Sequence, residues 1–158
     1  MKRVIPRGLV AFQIPATWRE EYEPEGGGTF DEEGPNTGTL RLNVLSLQKA
    51  EPRSLEAATR EIFRGSAVEK LPNGFPLRRY SKQAEEQGTP LVLYRWEVLV
   101  PVSPSKWRLV CFTHTILSAH VGLDQSKAEL DLIDKLVREA DYSTQPGVTP
   151  QKRRWKFW

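Results

Sequence analysis

The sequence predicts an α+β fold: a single, mainly antiparallel sheet of six to seven strands with two main helices packed on it, an α/β/α sandwich. Three observations carry this. Strand-like alternation dominates the N-terminal third and returns between Phe75 and Leu117. Two amphipathic segments, opening near Ser54 and Ser126, stand apart in the chain. Short turn-forming clusters join successive strands, which makes neighbours antiparallel.

The elements run in order along the chain. Leu9 to Pro15 is a short apolar run closed by proline, and Thr17 to Glu23 alternates Trp18, Glu20 and Tyr22. Gly26-Gly27-Gly28 reads as a turn into a short strand near Thr29 to Asp31, and Gly34-Pro35-Asn36-Thr37-Gly38 is strong turn chemistry. Thr39 to Leu47 then sets Leu40, Leu42 and Val44 on one face at period two. A helix is expected from an N-cap at Ser54, with Leu55, Ala58 and Ile62 on one stripe and Gly65 at its end. Three longer strands come next. Phe75 to Ala84 is the most polar, and Leu91 to Val100 aligns Val92, Tyr94, Trp96, Val98 and Val100. Trp107 to Leu117 is apolar on both faces, as a covered central strand should be. The last helix is read from a Ser126/Glu129 capping box, with Leu130, Ile133, Leu136, Val137 and Ala140 on its apolar stripe.

The whole reads as one domain over residues 1–141, a Pro-containing linker over 142–151 and a tail over 152–158. Composition agrees with one globule. The chain has 158 residues, 39% of them hydrophobic, too many for a disordered segment. No run approaches the ~20 apolar residues of a membrane span. Met1-Lys2-Arg3 begins like a secretion signal, but Pro6, Arg7 and Pro15 interrupt the apolar stretch after it, so a cytoplasmic location is expected.

The segment Phe12-Gln13-Ile14-Pro15-Ala16-Thr17-Trp18, a strand ending in proline with tryptophan three residues on, resembles the opening of PsbP-like, Mog-like domains. The order of elements over residues 8–141 is similar too. Proteins of this kind include photosystem-associated extrinsic subunits, a Ran-binding nuclear factor and bacterial DcrB-like proteins, some of them secretion-effector chaperones. The resemblance implies a non-catalytic scaffold that binds another protein. It does not name the partner, because a fold does not fix a function.

Catalytic chemistry finds little footing. Cys111 and His114 lie three apart in one strand and so point to opposite faces. Cys111, the sole cysteine, is expected to be a small buried hydrophobe and His114 a satisfied core histidine; His120 falls in a loop. No phosphate loop, dinucleotide fingerprint or nucleophile elbow occurs, and no metal-ligand spacing is recognised. The expectation is a non-enzymatic protein with no cofactor and no metal. A groove built from Arg95, Glu97 and neighbouring charges stays open as an enzymatic alternative, since Arg41, Arg78, Arg79, Arg95, Glu97 and Arg108 all occupy strand positions.

Charge is unevenly placed. Glu20, Glu21, Glu23, Glu25, Asp31, Glu32 and Glu33 crowd one hairpin, where solvated edge charges would deter sheet-to-sheet aggregation. The net charge is +3. Four of the positive charges, Lys152, Arg153, Arg154 and Lys156, sit in the tail beside Trp155, Phe157 and Trp158, so the remainder of the chain is slightly negative. Cations interleaved with aromatics suit a groove on another protein, a nucleic-acid strand or an anionic membrane surface. Folding back onto the acidic hairpin is a further option. Another protein is the expected partner, and these seven residues are the sequence's candidate contact.

Overall fold

A computed structural model describes residues 1–24 and 27–143. Strands β1 (Lys2–Val4) and β2 (Phe12–Ile14) form a small antiparallel hairpin of their own. Then come β3 (Arg19–Tyr22), β4 (Gly28–Asp31), β5 (Thr39–Gln48), helix α1 (Leu55–Phe63), β6 (Glu69–Lys70), β7 (Pro76–Glu86), β8 (Thr89–Ser103), β9 (Lys106–Leu117) and helix α2 (Asp124–Glu139). The last seven strands make one sheet in the order β3-β4-β5-β9-β8-β7-β6, with every neighbouring pair antiparallel. The predicted α+β sandwich is therefore the fold that forms. Five strands precede α1 where the sequence suggests three or four, because β1 is a three-residue strand with no alternation to betray it. Four strands lie between the helices where the sequence suggests three, the extra one being the two-residue β6.

Strand β9 is central. It pairs with β5 from Thr39↔Thr115 to Gln48↔Lys106 and with β8 from Leu91↔Leu117 to Ser103↔Lys106. Its even-numbered residues Val110, Phe112 and Ile116 point to the main core, which Leu40, Leu42, Trp96, Val98, Ile133 and Val137 fill. The β1–β2 hairpin closes this side. Phe12 meets Phe30 and Phe112 edge-to-face, at 5.4 and 5.5 Å between centroids. Backbone bonds between Ala11 and Asp141 in both directions, 2.9 and 2.8 Å, tie the hairpin to the end of α2. Trp18 is buried in the same core, and the Tyr142 side chain is buried with its hydroxyl donating to the Val137 carbonyl at 2.6 Å.

The odd-numbered side chains of β9 face the other way. Trp107 and Leu109 meet Leu99 of β8 and Ala58 and Phe63 of α1, with Leu55, Ile62 and Cys111 packed at the margin. The Ser54 hydroxyl oxygen accepts from the Ala57 N–H at 3.1 Å, so the predicted cap of α1 is real. The predicted cap of α2 is not. That helix begins at Asp124 after Leu123, which places Ser126 inside the first turn. Ser126 is buried, and the Glu129 carboxylate turns away from the helix end to His114 and Gly38. A buried tertiary partner outcompetes a local cap when both want the same carboxylate.

Candidate functional site

Helix α1 covers only one end of its side of the sheet. Beyond Leu109 and Leu99 that face is open, and the register lays it out in rows that cross the strands. One row runs Asn43 (β5), Cys111 (β9), Glu97 (β8), Arg78 (β7); the next runs Arg41, Thr113, Arg95, Tyr80; a third runs Thr39, Thr115, Leu93, Lys82. Directly opposed residues of an antiparallel sheet share a face, so each row is a line of neighbours about 4.8 Å apart.

The first row is internally satisfied. Glu97 is only 5% exposed, and its Oε1 accepts from Arg78 Nε at 2.8 Å and from Arg78 Nη2. Arg78 lies over the Phe63 ring at 4.9 Å and the Tyr80 ring at 5.2 Å, which seats this ion pair against the end of α1. The Tyr80 hydroxyl stands 3.4 Å from Glu97 Oε2 and accepts from Arg95 Nη1 at 3.3 Å. That bond to Tyr80, helped by the Glu97 charge, raises the Arg95 pKa further, against the opposing effect of burial. Cys111 is half-buried at the margin of the α1 cluster, less enclosed than the buried hydrophobe the sequence suggests. Burial first, then the Glu97 charge, push its thiol up to about 11, so it stays protonated and unreactive at neutral pH.

The second row is less complete. Arg95 Nε is buried with no hydrogen-bond partner among the described residues. Arg41 is exposed and, among the described residues, has neither a hydrogen bond nor an ion pair; Lys82 is the same. A shallow depression of about 300 Å³ adjoins Arg41, lined also by Thr39, Thr115, Leu91, Leu117 and Glu86. Apolar side chains border the charges: Leu45, at the β5 edge on the row of Leu109, is 51% exposed, and Leu117, at the other end of the face, 39%. The face is thus flat, mixed in polarity and locally cationic.

The remaining candidates are placed as follows. His114 sits on the opposite face from Cys111, 1% exposed, its Nε2 3.1 Å from Glu129 Oε1, which also accepts the Gly38 N–H at 3.1 Å. The His114 Nδ1 is buried without a partner among the described residues, so the expected core histidine is only half satisfied. His120 ends a 3-10 turn, Ser118–His120. Arg79 belongs to the α2 side, where its Nη1 donates to Asp134 at 3.0 Å, and Arg108 shares the parity of Val110. The acidic hairpin is partly neutralised by flanking bases. Lys2 pairs with Glu20 at 2.8 Å, and Arg19 holds Asp31 through bonds of 3.3 and 2.7 Å. Among the described residues no cluster of three His, Cys, Asp or Glu is arranged to hold a metal. The tail candidates Lys152, Arg153, Arg154, Trp155, Lys156, Phe157 and Trp158 lie outside the described residues.

Of the strand charges, Arg41, Arg78, Arg95 and Glu97 do come together on one face, and Arg79 and Arg108 do not. Sequence reasoning misses Tyr80, Thr113 and Thr115 as their neighbours. Parity relates residues within one strand only; the strand order and register put these on the face of the arginines and beside them.

No protein-family model matches the chain, and no curated protein matches it. Solved structures share its fold, two of them as follows. One, from Bacteroides thetaiotaomicron VPI-5482, superposes at a TM-score of 0.61 with 15% identity over 94% of this chain. This chain spans about half of that one, 51%. The other is LpqN of Mycobacterium tuberculosis, a protein involved in cell envelope biogenesis, at a TM-score of 0.55 and 11% identity, covering 83% of this chain and 81% of that one. At these identities the likeness is one of fold. Among the described residues no helix is long and apolar enough to cross a membrane.

Proposed function

We propose that this chain is a non-enzymatic protein-binding domain, an adaptor or chaperone in the broad sense, and that the open half of its sheet is the contact surface. The observation that carries this reading is the uneven covering of the two faces. One face is closed by α2 and the β1–β2 hairpin, whereas α1 leaves most of the other open, with Leu45 and Leu117 exposed among polar residues. Protein contact surfaces combine apolar anchors with arginine and tyrosine in this way. The Glu97 carboxylate, the natural candidate for acid–base work on that face, is already engaged by Arg78 and Tyr80. That favours binding over catalysis.

The test is co-purification of a partner from the organism of origin with the full-length chain and its variants. Leu45→Glu combined with Leu117→Glu should abolish capture while leaving the melting temperature within a few degrees, since both side chains are exposed. Lys135→Glu, on the exposed face of α2, should leave capture intact. Equal capture by the parent chain, the double variant and Lys135→Glu would overturn the reading.

The tail supports a second reading, because four cations among three aromatic rings suit an anionic surface or a single-stranded nucleic acid. Deleting residues 152–158 should then abolish binding that falls steeply with salt; binding that survives the deletion removes this reading. LpqN's part in cell envelope biogenesis makes the envelope a setting to weigh beside the cytoplasm. Cell fractionation of the tagged chain distinguishes the two.

A further inference from the structure

We propose that the open face seats an acidic, extended segment of the partner protein on the Arg41–Thr113–Arg95 row. This rests on the reading of that face as a protein contact and specifies the chemistry of the segment that binds there. Glu21 at the outer end of the row and Glu86 on the rim of the depression are acids of this face, but between them the middle of the row, Arg41 to Arg95, carries two cations and no acid. Arg78 and Glu97 satisfy one another, and Asp31, the acid next to Thr39, is committed to Arg19. Arg41 and Lys82 have no partner among the described residues, and Arg95 keeps a buried, unpartnered Nε with only the Tyr80 hydroxyl on its fork. Arg95 is half-buried, so its Nε is shielded, but an incoming carboxylate can meet the solvent side of its fork.

The spacing fits that guest. Arg41 and Arg95 flank Thr113 on adjacent strands, so their backbones stand about 10 Å apart. Two acids separated by one residue on an extended chain lie about 7 Å apart, within reach of both guanidinium forks, with the Thr113 hydroxyl between them. The depression beside Arg41 accepts an adjoining side chain, which Glu86 on its rim biases towards the neutral or basic.

A nucleic-acid strand fits less well. Glu21 on β3 and Glu86 at the end of β7 stand on this face at either side of the row and repel a polyanion long enough to run past it. The Tyr80 ring, the aromatic of this row, is already covered by Arg78.

The experiment is amide and arginine Nε–H chemical-shift mapping on the full-length chain with four probes. These are a decapeptide alternating Glu and Ser, its Gln-for-Glu counterpart, a decapeptide alternating Leu and Ser, and a ten-nucleotide oligothymidylate. The Glu peptide is expected to shift Arg41, Thr113 and Arg95. Its affinity should fall by about tenfold or more in Arg41→Glu, an exposed position that the fold tolerates, and less than about twofold in Lys135→Glu. The Gln peptide should bind at least about tenfold more weakly.

Equal binding of the Gln or Leu peptide to the open face overturns the acidic partner while leaving the face a protein contact. Glu-peptide shifts confined to the tail or the hairpin overturn it too, as does stronger perturbation of the row by oligothymidylate. Shifts at the row and the acidic hairpin that grow with protein concentration alone would make a second copy of this chain the occupant and overturn a separate acidic partner. Failure of every peptide to perturb the open face, together with partner capture that survives Leu45→Glu and Leu117→Glu, removes the parent reading as well.

Discussion

Gly38 shows how closely one residue can be constrained by its neighbours. A methyl group built on it would stand 2.6 Å from the His114 ring and 2.5 Å from Ile116. Its N–H donates to the same Glu129 oxygen that faces His114. The three residues form one buried unit joining the β4–β5 turn, β9 and α2. Glu129→Ala leaves two buried groups without their partner and should cost about 2–4 kcal/mol of unfolding free energy in urea titrations. Gly38→Ala should cost a similar amount through steric overlap, about 2–4 kcal/mol. A loss below about 1 kcal/mol in both would contradict the packing described. Cys111 offers a separate check. With its thiol pushed up to about 11, it should react with thiol reagents at pH 8 far more slowly in the native chain than in the unfolded one.

Elements differ in how far their residues announce them. Helix α1 declares itself through Ser54 and a clean stripe, β5 and β8 through alternation, and β9 through a run apolar on both faces. Only the end of β9 that holds Trp107 and Leu109 is covered on both sides, because Thr113 and Thr115 lie on the open face. The β7–β8 turn is not legible as a tight hairpin. Gln87 and Gly88 both take left-handed backbone, φ 51° and 83°, the geometry that Asn-Gly usually signals. Gln87→Asn should therefore stabilise the protein by about 0.5 kcal/mol in thermal melts, by easing a residue that seldom adopts this conformation.

The start of α2 is misread from sequence because Ser126 and Glu129 have the spacing of a capping box. Their burial against β9 overrides the local pattern, and no sequence signal reveals that contact. Further along α2, Asp134 fixes the helix to the sheet. Burial alone would raise its pKa. Hydrogen bonds from Arg138 at 2.8 Å and the Trp96 indole at 3.0 Å, with the charges of Arg138 and Arg79, reverse that and hold it below the ordinary value. A carboxyl lowered on folding stabilises the protein fully above its unfolded pKa, and that contribution is lost as pH falls through the folded value. Stability should accordingly decline below about pH 4, and Asp134→Asn should flatten part of that decline.

At the scale of the molecule, strand pattern and hairpin turns suffice to foresee an antiparallel sheet with a helix on each face. They do not foresee that α1 stops short. Its nine residues cover Trp107, Leu109 and Leu99, and the length of β8 and β9 carries the sheet well past it. The open rows follow from that mismatch in length. So does the meeting of Arg41, Thr113, Arg95 and Tyr80, since strands far apart in the chain supply them. The tail is the most conspicuous feature of the sequence, whereas the open face is assembled only by folding.

Docking of a partner protein on the open face is tested most directly by a photo-crosslinking amino acid. It is placed in the full-length chain at position 45 or, separately, at position 135, and activated in the organism of origin. A discrete adduct from position 45 with none from position 135 is the predicted result. Adducts from position 135 alone would contradict docking on that face.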